Sequence, residues 1–381
     1  MKSILDEVSK LRENLEGHLN DTPGDCHRIL FKDGRHLTAY YFGTNIYKTE
    51  KQLVDFSMQN NNTNCDFTHH VCGGKRIFLQ KDKLIYWQER ESFTIYLSPD
   101  YNLAQSNRVT NKASTYEILP TLNGLAFHVY LSNSPFYMKV NTSVPYPKLR
   151  WNDRYFAWMK QDFAPYMYMS VLYGVDRSGR TIPVQYALNK NGDQLFEFRW
   201  NDTTELAEVW FELNFHEEKL FQDTTVESRF PTQNNVYGCS SFIGETEQYG
   251  IQWLLSKPNF ANLDELQGKE LIEILWHIPC LHGSSSAKLQ LLPTTKRFCS
   301  FGTTWESHVS EQNKQPIFFS RKIDGYLTAD VTSLYSSQDH HSLAYFDGCI
   351  LRLSDGNQSG HILITTGDSC LHPPILEVKY K

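Results

Sequence analysis

The stretch that decides the fold is QDTTVESRFPTQNNVYGCSSFIGETEQYGIQWLLSK, residues 222–257. Within it, runs of apolar, aromatic and β-branched residues are separated by Pro231, by Asn234 and Asn235, and by Gly238. Such runs, interrupted by turn-forming residues, are typical of short β-strands. The stretch therefore predicts the opening of an all-β domain.

The same pattern extends outward, from about residue 25 to the carboxyl end of the sequence. The clearest predicted strands are HLTAYYFG (36–43), KRIFLQ (75–80), KLIYWQE (83–89), SFTIYLS (92–98), LAFHVYLS (125–132), FYMKVNTS (136–143), QLFEFRW (194–200), LAEVWFELNF (206–215), AKLQLLP (287–293) and ILEVKY (375–380). In one of them, Phe196, Phe198 and Trp200 alternate with Glu197 and Arg199, as expected for a sheet with one solvated face. We predict an all-β fold of two or three stacked antiparallel β-sandwich regions.

The first segment has a different pattern. Ile4, Val8, Leu11 and Leu15 recur at helical spacing with charged residues between them, which predicts an amphipathic helix over residues 1–24 that ends at the Pro-Gly pair. One interpretation is that its apolar stripe docks on the body of the protein. The other is a short coiled coil that joins identical chains into dimers or trimers, although only about two heptads are present.

Domain boundaries follow from loop-like stretches such as NNNTNCD (60–66) and LSPDYNLAQSNRVTNKAS (97–114). They divide the rest of the chain into a β-rich region at 25–115, a β-sandwich domain at 116–220 and a third domain at 221–381. Within the second domain, VDRSGRTIP (175–183) predicts a hairpin that turns over residues 176–179.

The third domain resembles the bacterial DNRLRE-type domain. The residues that carry the resemblance follow the family's order: Asp223, Val226, Pro231, Asn234 or Asn235, Tyr237, Gly238, the apolar strand at 274–279, Ala287, Leu289, Leu291, LTADVTSLY (327–335), FDGCILRL (346–353) and TTGDSCLHPPILEVKY (365–380). The sequence departs from the family pattern in the insertion at 256–271 and in Trp276 and His277. The resemblance implies a jelly-roll-like sandwich of bacterial surface and secreted proteins, sometimes classed with carbohydrate-binding modules.

Most of these residues also have structural explanations. Asp223 and Asn235 are expected to bond neighbouring backbone amides in turns, Gly238 to take a positive φ, and Pro373 and Pro374 to lead into an edge strand. The pattern therefore predicts a fold and does not by itself locate a ligand site.

Glycan binding needs aromatic planes that stack on sugar C–H faces, beside carboxylates and amides that bond hydroxyl groups. Tyr249 and Trp253, close to Glu245 and Glu247, form one candidate ligand-binding group, and Trp305 forms a second with its neighbour Glu306. The alternative is that both tryptophans are core residues, since tryptophan is usually largely buried.

A third aromatic group lies in the middle of the chain. Trp151, Tyr155 and Trp158, with Asp153, occur within WNDRYFAWM, and they suit either a binding surface or one packed face.

Composition excludes several functional classes. The net charge of −6 provides no large basic surface, so we expect no nucleic acid and no anionic membrane as partner. The sequence contains no run of about eighteen apolar residues, so we expect no insertion into a membrane. The amino-terminal sequence lacks the apolar core of a secretion signal. We expect a soluble protein, with a cell-surface, extracellular or virion location as the suspected destination.

No catalytic, metal or cofactor site is predicted. The cluster Cys65, His69, His70 and Cys72 does not match a common zinc-finger spacing and is interpreted as an incidental loop. The histidines of SSQDHHSL (336–343) are interpreted as part of a solvated polar loop, since no nucleophile motif accompanies them. No G-x-S-x-G, H-E-x-x-H or Walker pattern is present, so we predict a protein that is not an enzyme.

Three functional hypotheses follow. The first is a non-catalytic recognition protein that binds a glycan or a cell-wall polymer. The second is a phage tail or extracellular assembly subunit whose partners are protein subunits, including copies of this chain joined by the amino-terminal helix. The third is a β-sandwich glycoside hydrolase or lyase, which needs two carboxylates held across a cleft.

Overall fold

The protein is described by a computed structural model. The described residues are 17–20, 26–31, 36–41, 67–70, 76–80, 83–88, 91–96, 101–103, 108–111, 114–121, 123–131, 137–142, 148–161, 164–189, 195–200, 205–216, 221–258, 269–283, 287–323, 325–335, 347–354 and 360–381. Within these ranges the chain is all-β, with antiparallel strands and one short helix, α1 (Thr332–Tyr335). The predicted all-β class is confirmed.

The strands occupy every region in which runs of β-branched and aromatic residues predicted them. In chain order they are β1 (Gly17–Asn20), β2 (Cys26–Phe31), β3 (His36–Tyr41), β4 (Phe67–His70), β5 (Arg76–Gln80), β6 (Lys83–Gln88), β7 (Glu91–Tyr96), β8 (Tyr101–Leu103), β9 (Arg108–Asn111), β10 (Ser114–Pro120), β11 (Gly124–Leu131), β12 (Tyr137–Thr142), β13 (Lys148–Trp151), β14 (Tyr155–Gln161), β15 (Ala164–Asp176), β16 (Thr181–Ile182), β17 (Gln185–Asn189), β18 (Leu195–Arg199), β19 (Leu206–Phe215), β20 (Phe221–Glu227), β21 (Ser240–Thr246), β22 (Gly250–Pro258), β23 (Leu271–Gly283), β24 (Leu289–Pro293), β25 (Ile317–Phe318), β26 (Ser320–Ile323), β27 (Tyr326–Asp330), β28 (Cys349–Leu353), β29 (His361–Thr365) and β30 (Ile375–Tyr380).

The chain divides into two compact units. The middle unit consists of residues 54–216 with 237–239, and the split unit consists of residues 1–53, 217–236 and 240–381. The four predicted domain ranges stay predictions, and each unit is described by itself below.

The split unit is built on one large antiparallel sheet in the order β1-β2-β3-β30-β23-β29-β21-β22-β28-β24-β25, with β20 on β22 and β27 on both β23 and β26. The long strand β23 pairs with β30 and β27 through its first part and with β29 through its last part, beyond a bulge between Cys280 and His282. One main core lies under these strands and includes Leu254, Trp276 and Leu351. A second cluster consists of Val226, Leu255, Phe298, Val309 and Ile350.

The middle unit contains two antiparallel sheets. The first has the order β13-β14-β15-β19-β11-β10-β9-β8 with β16 on β15, and the second has the order β17-β18-β12-β7-β6-β5-β4. Its core joins the two, because Phe127 and Phe211 of the first sheet belong to the same cluster as Tyr186 and Phe198 of the second. The Phe127 and Phe211 rings stack with centroids 4.6 Å apart.

The predicted hairpin at 175–183 is confirmed. Gly174 pairs with Ile182 across β15 and β16, and the Gly179 amide donates to the Asp176 carbonyl at 2.9 Å. Gly179 has a φ of 83°, a conformation that glycine adopts without a Cβ penalty.

Two local expectations about the third domain are wrong. Gly238 is not among the glycines with positive φ. The strand after Pro373 and Pro374, β30, pairs with both β3 and β23 and is therefore not an edge strand. The Asp223 side chain accepts a hydrogen bond from the Gly367 amide at 2.6 Å, far away in the sequence. Asn235 donates to the Thr225 carbonyl at 3.1 Å and accepts from the Gln233 side-chain amide at 3.2 Å.

Other expectations concern residues that are not described. The stripe of the predicted amino-terminal helix, residues 4–15, lies outside the described residues, while Gly17–Asn20 at its predicted end form strand β1. The side chains of Cys65, His69, His70 and Cys72 and the polar loop at 336–343 also lie outside them. Among the described helices, none is long and apolar enough to span a membrane.

Candidate functional site

Strand β22 presents Trp253 on the face of the sheet that points away from the main core. Successive side chains of a strand point to opposite faces, so Leu254 enters the main core while Leu255 enters the second cluster. Trp253 packs against that second cluster and is half-buried. Its position therefore follows from the alternation of the strand.

Trp305 reaches the same cluster from the crossing segment, residues 294–316, which connects β24 to β25 and contributes Phe298 and Val309 to the second cluster. The segment is fixed by Asn234, whose side-chain amide donates to the carbonyls of Ser300 and Thr303. In addition, the Glu306 amide donates to the Pro231 carbonyl at 3.1 Å. These bonds fix the backbone on both sides of Trp305 in the sequence, at Thr303 and at Glu306.

The structure thus brings the two predicted tryptophans together. The rings of Trp253 and Trp305 have centroids 4.8 Å apart and planes tilted by 46°. His308 contacts both, edge-on to Trp253 at 5.2 Å and tilted against Trp305 at 5.7 Å. All three side chains are partly exposed. We call Trp253, Trp305, His308, Arg352 and Glu311 the tryptophan cluster.

Arg352 and Glu311 supply the charged part of the tryptophan cluster. The Arg352 guanidinium lies over the Trp253 ring, 5.3 Å from its centroid, a cation–π geometry. Its Nη2 is 3.1 Å from Glu311 Oε1, with side-chain exposures of 18% and 35% respectively. The pair thus offers hydrogen-bond donors and acceptors beside an aromatic surface.

The other predicted residues lie in β21 and in the turn that leads to β22. Tyr249 is 1% exposed and packs edge-on against Phe230 at 6.3 Å, so its ring is a core element. Glu245 and Glu247 are exposed. The carboxylate that the structure joins to the tryptophan cluster is Glu311, through Arg352.

Sequence reasoning missed His308, Glu311 and Arg352. A signal for Arg352 was available, because it lies between Leu351 and Leu353 on a predicted strand and so had to point away from their core. For His308 and Glu311 no local signal exists, since both belong to the irregular crossing segment.

The third aromatic group, in the middle unit, is mostly core. Trp158 and Tyr155 are buried, whereas Trp151 is 48% exposed at the end of β13. Asp153 is partly buried, and burial raises the pKa of its carboxyl group above the usual value.

A second ring assembly, which sequence reasoning missed, crosses β15, β19 and β11 of the middle unit. Trp210 stacks on His128 at 3.9 Å and on Tyr173 at 6.3 Å, and His128 Nε2 is 2.7 Å from Glu208 Oε2. Burial, with the Glu208 carboxylate, raises the pKa of Tyr173 to about 12. Because the rings stack face to face, their faces are already occupied, so this assembly stabilises the sheet through cross-strand pairs.

Within the described ranges, no group of three or more His, Cys, Asp or Glu side chains is arranged to hold a metal ion.

No family model matches the chain, and no curated protein matches it.

Proposed function

We propose that the chain is a non-catalytic binding protein that recognises a glycan or related cell-surface polymer through the tryptophan cluster. The observation that carries the proposal is the convergence of two half-exposed indoles, from β22 and the crossing segment, beside an Arg–Glu pair. Binding sites for small polar ligands combine an apolar wall with a few convergent polar groups. Trp253, Trp305, Arg352 and Glu311 have this composition.

Each group has a role in this proposal. The exposed part of the Trp305 ring stacks on the C–H face of a pyranose, while Trp253 supports it from the second cluster. Arg352 donates to sugar hydroxyls and Glu311 accepts from them. Their mutual ion pair holds both side chains in place before the ligand arrives, which lowers the entropy cost of binding.

The proposed architecture is a pair of β-sandwiches, with a jelly-roll-like arrangement of the split unit. Strand β23 pairs with β27 and β30 through its first part and with β29 through its last part, beyond the bulge between Cys280 and His282. This change of pairing partners supports the jelly-roll-like arrangement. The core shared by both sheets supports a sandwich in the middle unit.

A glycan-array screen of the intact chain tests the proposal, with hits quantified by calorimetry. Trp305→Ala is expected to weaken binding about 30-fold, the effect of losing about 2 kcal/mol at an aromatic hot spot. Trp151→Ala is the matched control, because Trp151 is an exposed tryptophan of the middle unit, outside the cluster. Circular dichroism verifies that both variants stay folded.

Two outcomes contradict the proposal. One is an array on which the intact chain binds no glycan, in which case a stable trimer in size-exclusion light scattering favours the assembly hypothesis instead. The other is equal loss of binding in the Trp305→Ala and Trp151→Ala variants.

A further inference from the structure

A row of side chains crosses four strands of the split unit's sheet, on the face that points away from the main core. Gln290 of β24 is opposite Arg352 of β28 on one side and opposite Phe318 of β25 on the other. The register of β22 with β28, continued by one residue, places Trp253 opposite Arg352, whose guanidinium lies over the Trp253 ring. Directly opposite residues of antiparallel strands share a face. The row therefore runs from Trp253 through Arg352 and Gln290 to Phe318.

The neighbours of Phe318 in the sequence show that its ring points away from the main core. Ile317 packs against that core and Phe319 belongs to it. Because successive side chains of a strand point to opposite faces, Phe318 is on the other face, where the tryptophan cluster lies. Its side chain is 51% exposed, and β25 is the last strand in the order of the sheet. An exposed aromatic ring is thus in register with the tryptophan cluster.

Few side chains in the described ranges combine this size, apolar character and exposure. Three large hydrophobic side chains are exposed there: Trp151, Ile272 and Phe318. Trp151 belongs to the middle unit, and Ile272 lies near the start of β23, which is not a strand of the row. Of these three, Phe318 is the one that is aligned with a candidate binding site, and exposed apolar surface next to such a site is a mark of a ligand-binding surface.

The spacing of the strands sets the size of a ligand that could contact both ends of the row. Three steps of about 4.8 Å separate β22 from β25, so Trp253 and Phe318 are about 14 Å apart along the row. One pyranose ring does not span this distance, but a linear chain of linked sugars does. The Arg352–Glu311 pair lies between the two aromatic ends. Gln290 is 5% exposed, so it forms the floor of the row and does not contact the ligand.

We propose that Phe318 is a second aromatic subsite, and that the occupant of the tryptophan cluster is a linear oligosaccharide that runs across the strands to Phe318. This inference rests on the proposed function of the tryptophan cluster. Trp305 stacks on one sugar unit, and Phe318 stacks on a unit farther along the same chain. The second contact adds affinity because the ligand has already lost its translational and rotational freedom at the first.

The test is an array of gluco-, xylo-, manno- and chito-oligosaccharides, from mono- to hexasaccharide, followed by calorimetry on the series that the intact chain binds most tightly. The wild type is expected to bind the hexasaccharide of that series at least about 10-fold more tightly than the disaccharide. Phe318→Ala is expected to weaken hexasaccharide binding about 10-fold and to leave disaccharide binding unchanged. Trp305→Ala is expected to weaken the binding of both.

Ile272→Ala is the matched control, because it also truncates an exposed hydrophobic side chain of the split unit, and it is expected to bind both sugars as the wild type does. Unchanged hexasaccharide binding in Phe318→Ala overturns the inference, while a loss of binding in Trp305→Ala in the same experiment leaves the proposed function standing. Equal losses for disaccharide and hexasaccharide in Phe318→Ala also overturn it, since a general disturbance of the fold has that effect. Absence of binding to all four series by the intact chain overturns the inference too, and the wider glycan array then decides the proposed function.

Discussion

At the scale of single residues, Asp176 shows how one carboxylate organises a hairpin. Its Oδ1 accepts from the Ser178 amide at 2.9 Å, from the Ser178 hydroxyl at 2.6 Å and from the Arg180 amide at 2.9 Å, while Oδ2 accepts from the Arg180 side chain. The Ser178 hydroxyl and the Arg180 amide are the main causes that lower the pKa of Asp176 from 3.8 to about 2. The folded hairpin therefore favours the charged form.

This depressed pKa predicts a pH dependence of stability. The folded state binds the Asp176 proton more weakly than the unfolded state, so the stabilisation is complete above about pH 4 and is lost as the pH falls towards 2. In the Asp176→Asn variant, the midpoint of urea unfolding is expected to decrease less than in the wild type as the pH falls from about 4 to about 2. Glu205→Gln, which removes an exposed ion pair with Arg177, is the control and is expected to change little. Parallel profiles for wild type and Asp176→Asn would show that the carboxylate has no such role.

The residue scale is also where sequence prediction succeeded least. Trp253 and Trp305 were identifiable because indoles are rare and chemically distinctive, but nothing local showed that they meet. Arg352 and Glu311 join them only because β28 and the crossing segment lie beside β22 in the fold. Asp223 likewise bonds Gly367, a contact that depends on strand order and not on the sequence around either residue.

At the scale of elements, Gly244 shows why a backbone conformation can require glycine. It lies in β21 with a φ of 117°, and a Cβ there would be 2.2 Å from the Gly360 carbonyl oxygen. Gly244→Ala therefore combines an unfavourable φ with a clash against backbone. We expect it to lower the free energy of unfolding by at least about 2 kcal/mol in urea denaturation.

Gly325→Ala is the matched control for Gly244→Ala. Gly325 also has a positive φ, 76°, but an added Cβ meets nothing within 4 Å. Its expected cost is only about 1 kcal/mol, from the backbone conformation alone. Equal costs for the two variants would contradict the clash at Gly244.

Strand positions were predictable at this scale, because alternation and β-branched or aromatic runs are local properties of the sequence. Partners were not. β3 pairs with β30, from the opposite end of the chain, and β23 changes partners along its length. Strand pairing depends on which faces are buried against each other, which no single segment specifies.

At the scale of the whole molecule, strands β1, β2 and β3 extend the sheet that contains β30, the last strand of the chain. His36 pairs with Tyr380 and Tyr41 pairs with Ile375, so β3 covers one edge of β30. Deletion of residues 1–41 is expected to expose that edge, to lower the melting temperature and to promote aggregation, as unpaired edges do. Differential scanning calorimetry with light scattering measures both effects.

Deletion of residues 1–16 is the control for this experiment, because it removes the apolar stripe of the predicted helix, residues 4–15, and none of the described strands. The shorter deletion is expected to leave the melting temperature of the split unit almost unchanged. Equal stability of the two deletion variants would contradict the contribution of β1, β2 and β3.

The central claim is that a glycan contacts the tryptophan cluster, and fluorine NMR of the intact chain with 5-fluorotryptophan tests it most directly. The chain contains 8 tryptophans, whose signals are assigned by single Trp→Phe substitutions. On titration with an array hit, the account predicts that the Trp305 and Trp253 signals shift while those of Trp151 and Trp158 do not. Saturating shifts confined to other tryptophans, with Trp253 and Trp305 unaffected, would contradict it.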